Sequence, residues 1–437
     1  MSFIEARTRY IAGESSGFEQ ESRTARALQW TLIGCLCGVL AFGPLAFGAV
    51  QDWAICTLEL GASACVILWS ARQLALGRFQ IYGNSLFLPI ALFAVIVAVQ
   101  LLTGHTAYWF VTWQTSLLWA AYAMLFFVAT QCLSNAGPLR AFAFFFATFG
   151  FLLALFAIAQ QFTWNGNLYW LVHVRQDGWV YGPYVNHAHY AGLMEMLVPI
   201  PLVLVMMNRW QKAQRVLFGF ATLLMASTIF LSQSRGGMVA FSVQIALFAV
   251  ILGVRERTRK QVLLLLFLVV LLTVWLTMLS PGGISDRIAR LSNVAASDRL
   301  TIARDSMKMI ATRPVLGWGL GTFPVVYPSF RTFYTNFFVN AAHNDYVQTT
   351  VETGLLGFAA LCSFVVLFYR GGFRNIARWR NDVGSATRLA AIIGVTGILI
   401  HSFCDFNLQI PANAALFFVL AAVATAGSRR TVDQHQR

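Results

Sequence analysis

The sequence predicts an all-α polytopic membrane protein with about 12 transmembrane helices and one long, partly helical loop. Only 11% of its 437 residues are charged and 58% are hydrophobic, whereas a soluble globular domain carries about 25% charged residues. Apolar runs of bilayer-crossing length recur along the chain, and no run alternates as the strands of a membrane barrel do. The composition therefore excludes a soluble domain and favours a helical bundle.

Twelve apolar runs follow a polar N-terminal segment at 1–27. That segment argues against a cleavable signal peptide, which needs an apolar run close to the first residue. The seven cysteines lie in or at the ends of the runs without paired spacing, so we interpret them as apolar packing residues. The predicted spans lie at about 28–50, 53–71, 86–102, 109–130, 141–162, 190–207, 216–231, 237–254, 261–280, 353–369, 389–405 and 412–427.

Basic residues indicate which ends of the spans are cytoplasmic. With both termini inside, 22 of the 31 lysines and arginines lie on the inner side, as the positive-inside rule requires. This placement accounts for the net charge of +14 without nucleic acid. The segments 1–27 and 428–437 are then cytoplasmic, and 163–189 and 281–352 are outer loops. The nine outer basic residues are Arg175, Arg235, Arg287, Arg290, Arg299, Arg304, Lys308, Arg313 and Arg331.

The long outer loop is predicted to contain an amphipathic helix at 298–312. Its apolar stripe is formed by Leu300, Ala303, Met307 and Ile310, which recur at helical spacing. Arg313 and Pro314 end the helix. The following GWGLG at 317–321 is predicted to be a flexible turn, without the lysine and serine or threonine of a phosphate loop. The shorter outer loop is rich in aromatic residues, which are typical of a membrane interface.

Polar side chains next to lipid are costly, so four polar clusters at the outer ends of the spans are the candidates for function. The first contains Arg175, Asn186, His187 and His189, followed by Glu195. Either the asparagine and histidines satisfy backbone groups at a helix start, or Arg175 binds an anion. We do not expect a zinc site, because no compact third and fourth ligand accompanies the histidines.

The second cluster is the short outer turn LSQSRGG at 231–237, which contains Ser234 and Arg235. Arg235 either extends towards lipid headgroups and caps helix-end carbonyls, or binds a phosphate through its planar, permanently charged guanidinium. The small residues around it leave room for a phosphate, so we favour the second interpretation.

The third cluster lies in NAAHNDYVQTTVETGLLG at 340–357, where the long loop meets a span. A histidine titrates near neutral pH and accepts a proton from a hydroxyl. His343 is therefore the candidate base, with Asn344 and Asp345 as candidates to orient it and Glu352 further along. The alternative is that these residues cap the helix that begins near 345.

The fourth cluster is HSFCDFNLQIPAN at 401–413, which joins two spans on the outer side and contains His401 and Asp405. Asp and Asn side chains commonly bond to nearby backbone in such turns. We therefore predict a polar hairpin with a mainly structural role.

With these motifs, the chain resembles the O-antigen ligase and polymerase superfamily of bacterial envelope glycosyltransferases. The resemblance rests on YVNHAHYAGLMEM at 184–196, SQSRGG at 232–237, GWGLGTF at 317–323, AHNDYVQTTVETGLLG at 342–357 and HSFCDFNLQIPAN at 401–413. It implies a protein of the bacterial inner membrane with its active site on the periplasmic face. It also implies transfer of a glycan from an undecaprenyl-diphosphate carrier to an acceptor hydroxyl, without nucleotide, metal or other cofactor.

The resemblance implies roles for individual residues. His343 activates the acceptor, and Arg235 and Arg175 hold the diphosphate, although the sequence flanking Arg175 matches loosely. The chain has His187 and His189 where the family often has asparagine. The supporting residues are Asn186, His187, His189, Ser234, Asn344, Asp345, His401 and Asp405.

Several functions stay open from the sequence. The acceptor is a lipid A–core, a second glycan chain or a protein hydroxyl, which correspond to a ligase, a polymerase and a protein O-oligosaccharyltransferase. A transporter or lipid flippase is the rival of another class. Transporters usually show related halves and polar sites at the midplane, whereas this chain has no visible repeat and its ionisable residues gather at one face. A non-catalytic scaffold is the third alternative.

Overall fold

The computed structural model describes residues 22–174, 180–256, 295–334, 338–374 and 376–427. Within these ranges, nine helices are long and apolar enough to cross a membrane and two are shorter apolar helices, so eleven predicted spans coincide with a helix. The prediction of a helical membrane protein is confirmed at this level. The predicted span at 261–280 lies outside the described residues, so the count of 12 stays a prediction.

The helices form one bundle with a small capping region at one end. Before the long loop they are α1 (Arg23–Leu45), α2 (Asp52–Leu76), α3 (Phe87–Leu102), α4 (Trp109–Cys132), α5 (Ala136–Phe162), α6 (His187–Leu197), α7 (Pro199–Val205), α8 (Lys212–Leu231) and α9 (Arg235–Glu256). Between α5 and α6, strands β1 (Asn167–Leu168) and β2 (Val172–His173) pair antiparallel. The later elements are α10 (Ala295–Thr312), α11 (Phe323–Val326), a 3-10 turn (Tyr327–Ser329), α12 (Asp345–Gly372), α13 (Val383–His401), a 3-10 turn (Asn407–Gln409) and α14 (Pro411–Thr425).

The centre of the bundle is formed by α6, α7, α13 and α14, whose residues are almost all buried. Alanine is frequent in α14, and small residues let membrane helices approach closely. Gly43 of α1 illustrates the packing, because a Cβ added there would lie 2.9 Å from the Cβ of Ala412. The predicted span at 190–207 is divided into α6 and α7 at Pro199, since proline lacks the N–H that continues a helix.

Two helices begin before the apolar spans that they contain, each after a polar capping residue. The helix α12 begins at Asp345 rather than 353, after Asn344, whose side chain accepts a hydrogen bond from the N–H of Val347. The helix α13 begins at Val383 rather than 389, after the capping residue Asp382. The first residues of α12 therefore belong to the segment 281–352 that is predicted to be the long outer loop.

The helix α12 is interrupted at Gly354, which has a left-handed φ of 68°. The GWGLG turn lies against this break, with the N–H groups of Trp318 and Gly319 donating to the carbonyls of Val351 and Glu352 at 2.9 Å each. The Glu352 carboxylate accepts from the N–H of Gly321 at 2.9 Å. Backbone groups freed by the break are thus satisfied by the loop. The turn predicted to be flexible is hydrogen-bonded in place.

The helix α10 is present, but its predicted apolar stripe is not its buried face. Leu300 and Met307 are exposed, whereas Ile302 and Met309 are buried against α11 and the start of α12. The buried face also contains Asp305, which accepts hydrogen bonds from the N–H and hydroxyl of Thr332. A satisfied polar residue therefore lies on the face that hydropathy assigned to the exterior.

Candidate functional site

The described residues of the four polar clusters meet at one end of the bundle, next to α10. The cluster of His343 precedes α12, and residues 402–410 form the hairpin between α13 and α14. The backbone N–H of Asp345 donates to the carbonyl of Ser402 at 3.0 Å. Arg235 begins α9, and His187 begins α6. Sequence segments that are more than 200 residues apart are thus brought together at helix ends.

His343 faces the carboxylate of Asp405. Its Nδ1 lies 3.4 Å from Oδ1 of Asp405, and the side chains are 26% and 4% exposed respectively. This is an ion-pair distance, slightly longer than an ordinary hydrogen bond. His343 adopts a left-handed φ of 50°, and its ring contacts the edge of Phe406 with the centroids 5.0 Å apart. A partly exposed histidine with a carboxylate at Nδ1 is the arrangement of a general base.

Asp405 is a buried anion among three histidines. Burial raises the pKa of its carboxyl group, but the contact with His343 and the nearby His189 and His401 lower it more, and the net pKa is well below the ordinary value. Asp405 therefore stays ionised at neutral pH. The hairpin predicted to be mainly structural supplies the carboxylate closest to the candidate base.

Asn344 and Asp345 attach the His343 segment to the hairpin rather than to the imidazole. The amide of Asn344 caps α12 and donates to the carbonyl of Phe403 at 3.1 Å. The carboxylate of Asp345 accepts from the hydroxyl of Ser402 at 2.7 Å and the N–H of Leu408 at 3.1 Å. The residues predicted to orient His343 therefore do so indirectly, by fixing the backbone on either side of it.

Arg235 occupies the first position of α9. Ser234 caps this helix, its hydroxyl accepting from the N–H of Gly237 at 3.1 Å. The Arg235 side chain is exposed, and it makes no ion pair with a carboxylate in the described part of the chain. A guanidinium beside the N–H groups of a helix N-terminus favours an anion.

Glycines bring the start of α9 close to its neighbours. A Cβ added at Gly236 would lie 2.6 Å from Nε2 of His401, and one added at Gly237 would lie 2.7 Å from the Cβ of Ala191. The other ring nitrogen of His401, Nδ1, lies 2.8 Å from Oε1 of Glu195, and both side chains are fully buried. His401 and Glu195 thus support the turn that presents Arg235.

Asn186, His187 and His189 hold the start of α6 in place. Asn186 caps the helix through the N–H of Ala188 at 2.9 Å. Nδ1 of His187 lies 2.6 Å from the carbonyl of Ser232, and Nδ1 of His189 lies 3.3 Å from Oδ1 of Asn407. These contacts favour the structural interpretation of the first cluster.

Arg299 is a site residue that the sequence interpretation missed. It lies on α10, is exposed, and its Nη1 donates to the carbonyl of Cys404 at 3.1 Å. This bond brings a second fixed cation to the residue next to Asp405. The sequence signal that could have identified it is its position, since Arg299 is one of the nine basic residues that the charge distribution places on the predicted outer side.

Two further predictions concern Arg175 and the absence of a zinc site. Arg175 lies outside the described residues, so its assignment to the diphosphate stays a prediction. Among the residues that the structure describes, no group of three or more His, Cys, Asp or Glu side chains is arranged to hold a metal ion.

The fold and the site define a polytopic helical membrane protein with histidine–carboxylate pairs and arginines at one end of its bundle. Residues 220–362 match the protein-family model described as O-antigen ligase. This match, which contains Arg235, Arg299 and His343, confirms the resemblance to the O-antigen ligase and polymerase superfamily. In general terms the match supports a membrane enzyme of the glycosyltransferase type. No curated protein matches the chain.

Proposed function

We propose that this protein transfers a glycan from an undecaprenyl-diphosphate carrier to an acceptor hydroxyl on the periplasmic face of the bacterial inner membrane. The observation that carries the proposal is the convergence of the His343–Asp405 pair with the cations of Arg235 and Arg299 at one end of the bundle. A base for a neutral hydroxyl and fixed positive charge for a diphosphate are the two requirements of this reaction.

His343 acts as the general base. With Nδ1 directed at the ionised Asp405, the imidazole carries its proton there and presents Nε2 as the accepting nitrogen. Nε2 takes the proton of the acceptor hydroxyl as the oxygen attacks the anomeric carbon of the donor sugar. Asp405 stabilises the imidazolium that forms, as in other histidine–carboxylate pairs.

Arg235 and Arg299 bind the leaving group. The bond between the anomeric carbon and the phosphate oxygen breaks, and its electron pair goes to the undecaprenyl diphosphate. Two guanidinium groups offset that negative charge without a metal ion, and their planar forks bind phosphate oxygens in pairs. Arg175 is proposed as a further diphosphate ligand from the sequence resemblance.

Purified protein reconstituted with a lipid-linked glycan tests the reaction. We expect a new glycoside on one of three acceptors, namely a lipid A–core, a second carrier-linked glycan or a protein hydroxyl, with release of undecaprenyl diphosphate. Mass spectrometry of the product then distinguishes a ligase from a polymerase and a protein glycosyltransferase. Energy-dependent movement of the lipid-linked glycan across the bilayer without a new glycosidic bond would favour the flippase alternative instead.

The periplasmic placement rests on the distribution of basic residues. A cysteine introduced at Ser329, which is exposed, should react with an impermeant reagent added outside the inner membrane. The matched position at the opposite end of α12 is Arg374, and a cysteine there should be protected. The reverse labelling pattern would place the site in the cytoplasm.

A further inference from the structure

A buried glutamine connects the segment before His343 to a buried carboxylate on α12. Gln348 and Glu352 lie one turn apart on one face of this helix, and they are 4% and 2% exposed. Nε2 of Gln348 donates to Oε1 of Glu352 at 3.1 Å. Oε1 of Gln348 accepts from the backbone N–H of Ala342, also at 3.1 Å. Ala342 directly precedes His343, so this side-chain bond fixes the backbone next to the candidate base.

The order of donors and acceptors along this connection is fixed. A backbone N–H only donates, and the Glu352 carboxylate accepts from the N–H groups of Gly321 at 2.9 Å and Phe323 at 3.4 Å. The carboxamide of Gln348 therefore satisfies both of its neighbours in one orientation alone. A flipped carboxamide would set its oxygen against the carboxylate and its NH₂ group against the N–H of Ala342.

The Glu352 residue is in turn held by the GWGLG turn and by α3. Gln100 of α3 is fully buried, and its Nε2 donates to the carbonyl of Glu352 at 2.8 Å and to that of Leu316 at 2.6 Å. Oε1 of Gln100 accepts from the N–H of Leu320 at 3.2 Å. Rotation of the Glu352 carboxylate away from Gln348 would break its bonds to the turn, so Gln348 has a rigid partner.

His343 needs such support because its backbone is left-handed. Its φ is 50°, a conformation that is unfavourable for a residue with a Cβ and persists only where the surrounding contacts enforce it. Asn344 and Asp345 are bonded to the hairpin, and Gln348 supplies a bond to the residue before the histidine. With these contacts in place, Nδ1 of the imidazole stays directed at Asp405.

We propose that Gln348 and Glu352 are positioning residues for His343. They act on the base through the backbone N–H of Ala342 and take no part in the proton transfer. The inference rests on the proposed function, in which His343 is the general base, and adds the groups that keep this base in its productive orientation. Glu352 also bonds to the turn that follows α10, so Gln348 is the more selective position to vary.

Gln348→Met tests the proposal, because methionine has a similar length and forms neither hydrogen bond. We expect kcat to fall by about 10–100-fold, since a misplacement of about 1 Å can cost a factor on the order of 10² in rate. The KM for the lipid-linked glycan should stay unchanged, because the arginines are not altered. The matched control is Gln131→Met. Gln131 is also buried and bonds to both backbone groups of Tyr82, at the opposite end of the bundle.

This control separates positioning from stability. Both variants lose two hydrogen bonds of a buried carboxamide, so their thermal midpoints in detergent should fall by similar amounts. Only Gln348→Met should lose kcat. Equal kcat values for Gln348→Met and Gln131→Met would overturn the proposal.

A reciprocal exchange tests the order of donors and acceptors. Gln348→Glu alone sets two carboxylates against each other, and Glu352→Gln alone leaves a donor facing a donor. In the double variant the new carboxylate accepts from the N–H of Ala342 and from the new carboxamide. Each single variant should therefore lower kcat, and the double variant should recover most of the loss. Additive losses in the double variant would overturn the proposal.

Hydrogen exchange measured by mass spectrometry tests the connection without turnover. Gln348→Met should accelerate exchange in the segment 340–344, because the N–H of Ala342 loses its acceptor, and Gln131→Met should not. Unchanged exchange in Gln348→Met would overturn the proposal, as would faster exchange with the kcat of the wild type. Failure of the proposed function has a different signature, because the wild type would then transfer glycan to no acceptor while the exchange response persists.

Discussion

Two histidine–carboxylate pairs lie at the same end of the bundle, and they differ mainly in exposure. His343 faces Asp405 at 3.4 Å with about a quarter of its side chain exposed, whereas His401 faces Glu195 at 2.8 Å and is 1% exposed. The partners are alike in chemistry, so residue types alone would assign both the same role. Of these two pairs, the His343 pair has the exposure that contact with a substrate requires, and the His401 pair does not.

The His401 pair is closed because the start of α9 covers it. Gly236 packs against the imidazole, and the opposite oxygen of Glu195, Oε2, has no hydrogen-bond partner among the described residues. A buried pair contributes to stability only when both partners are present, since loss of one leaves a buried charge or polar group without compensation. The expected roles are therefore distinct, with catalysis at His343 and support of the Arg235 turn at His401.

The largest effect is expected for His343→Gln. Glutamine preserves a polar side chain but cannot take the proton, so turnover should fall by roughly 10²–10⁴-fold, the usual contribution of a general base. Transfer is measured with purified protein and a lipid-linked glycan. His105→Gln is the matched control, because His105 is an exposed histidine outside the site. Normal turnover of His343→Gln would leave His343 with a positioning role only.

The main effect of Glu195→Ala should be a loss of stability rather than a direct loss of activity. Removing one partner of a buried pair costs about 3–5 kcal/mol, so the thermal midpoint in detergent should fall clearly. His343→Gln should leave it nearly unchanged. Glu195→Gln should lose less, because the amide oxygen still accepts a hydrogen bond from His401. The control is Glu59→Ala, which makes the same substitution on α2, away from the site. A wild-type midpoint for Glu195→Ala, with activity lost, would contradict the structural role.

Arg235→Lys should reduce turnover by roughly 10–100-fold while the protein stays folded. Lysine keeps the charge but not the planar fork, and a lost hydrogen bond to a charged group is worth about 1.5–3 kcal/mol. The rate is compared with that of Arg304→Lys, which changes an exposed arginine of α10. Full activity of Arg235→Lys would show that position 235 contributes charge alone. The same comparison for Arg299→Lys tests whether the second cation acts through its fork.

The transmembrane helices were predictable from sequence because their apolar length is itself the physical requirement for crossing a bilayer. The ends of these helices were less predictable. The caps at Asn344 and Asp382 extend α12 and α13 into segments that hydropathy assigns to loops. The stripe on α10 was misassigned because the burial of Asp305 depends on Thr332, a partner that hydropathy cannot reveal.

The residue types of the site were predictable, but their partners were not. Asp345 is close to His343 in sequence, yet the carboxylate at the imidazole is Asp405, which the fold brings across from the hairpin. Likewise, Arg299 reaches Cys404 only because α10 packs onto the end of the bundle. Such pairings follow from tertiary packing, which sequence distance does not report.

The smallest effect, and the sharpest comparison of the two pairs, is a shift in pH dependence. Burial raises the pKa of Asp405, but the contacts with His343 and the nearby histidines lower it more. The stability that Asp405 contributes is therefore present above its pKa in the unfolded state, about 3.9. This stability is lost only as the pH falls through the still lower pKa of the folded state. Protonation of Asp405 itself therefore does not account for a fall of activity on the acidic side of neutrality. Asp405→Asn removes the negative charge that faces the His343 ring, so the acidic limb of the pH–rate profile should move to lower pH, with a lower maximal rate. Glu195→Gln, which alters the closed pair, should leave the position of that limb unchanged. If Asp405→Asn leaves the acidic limb unshifted and Glu195→Gln shifts it, His401 is the base and His343 has the structural role.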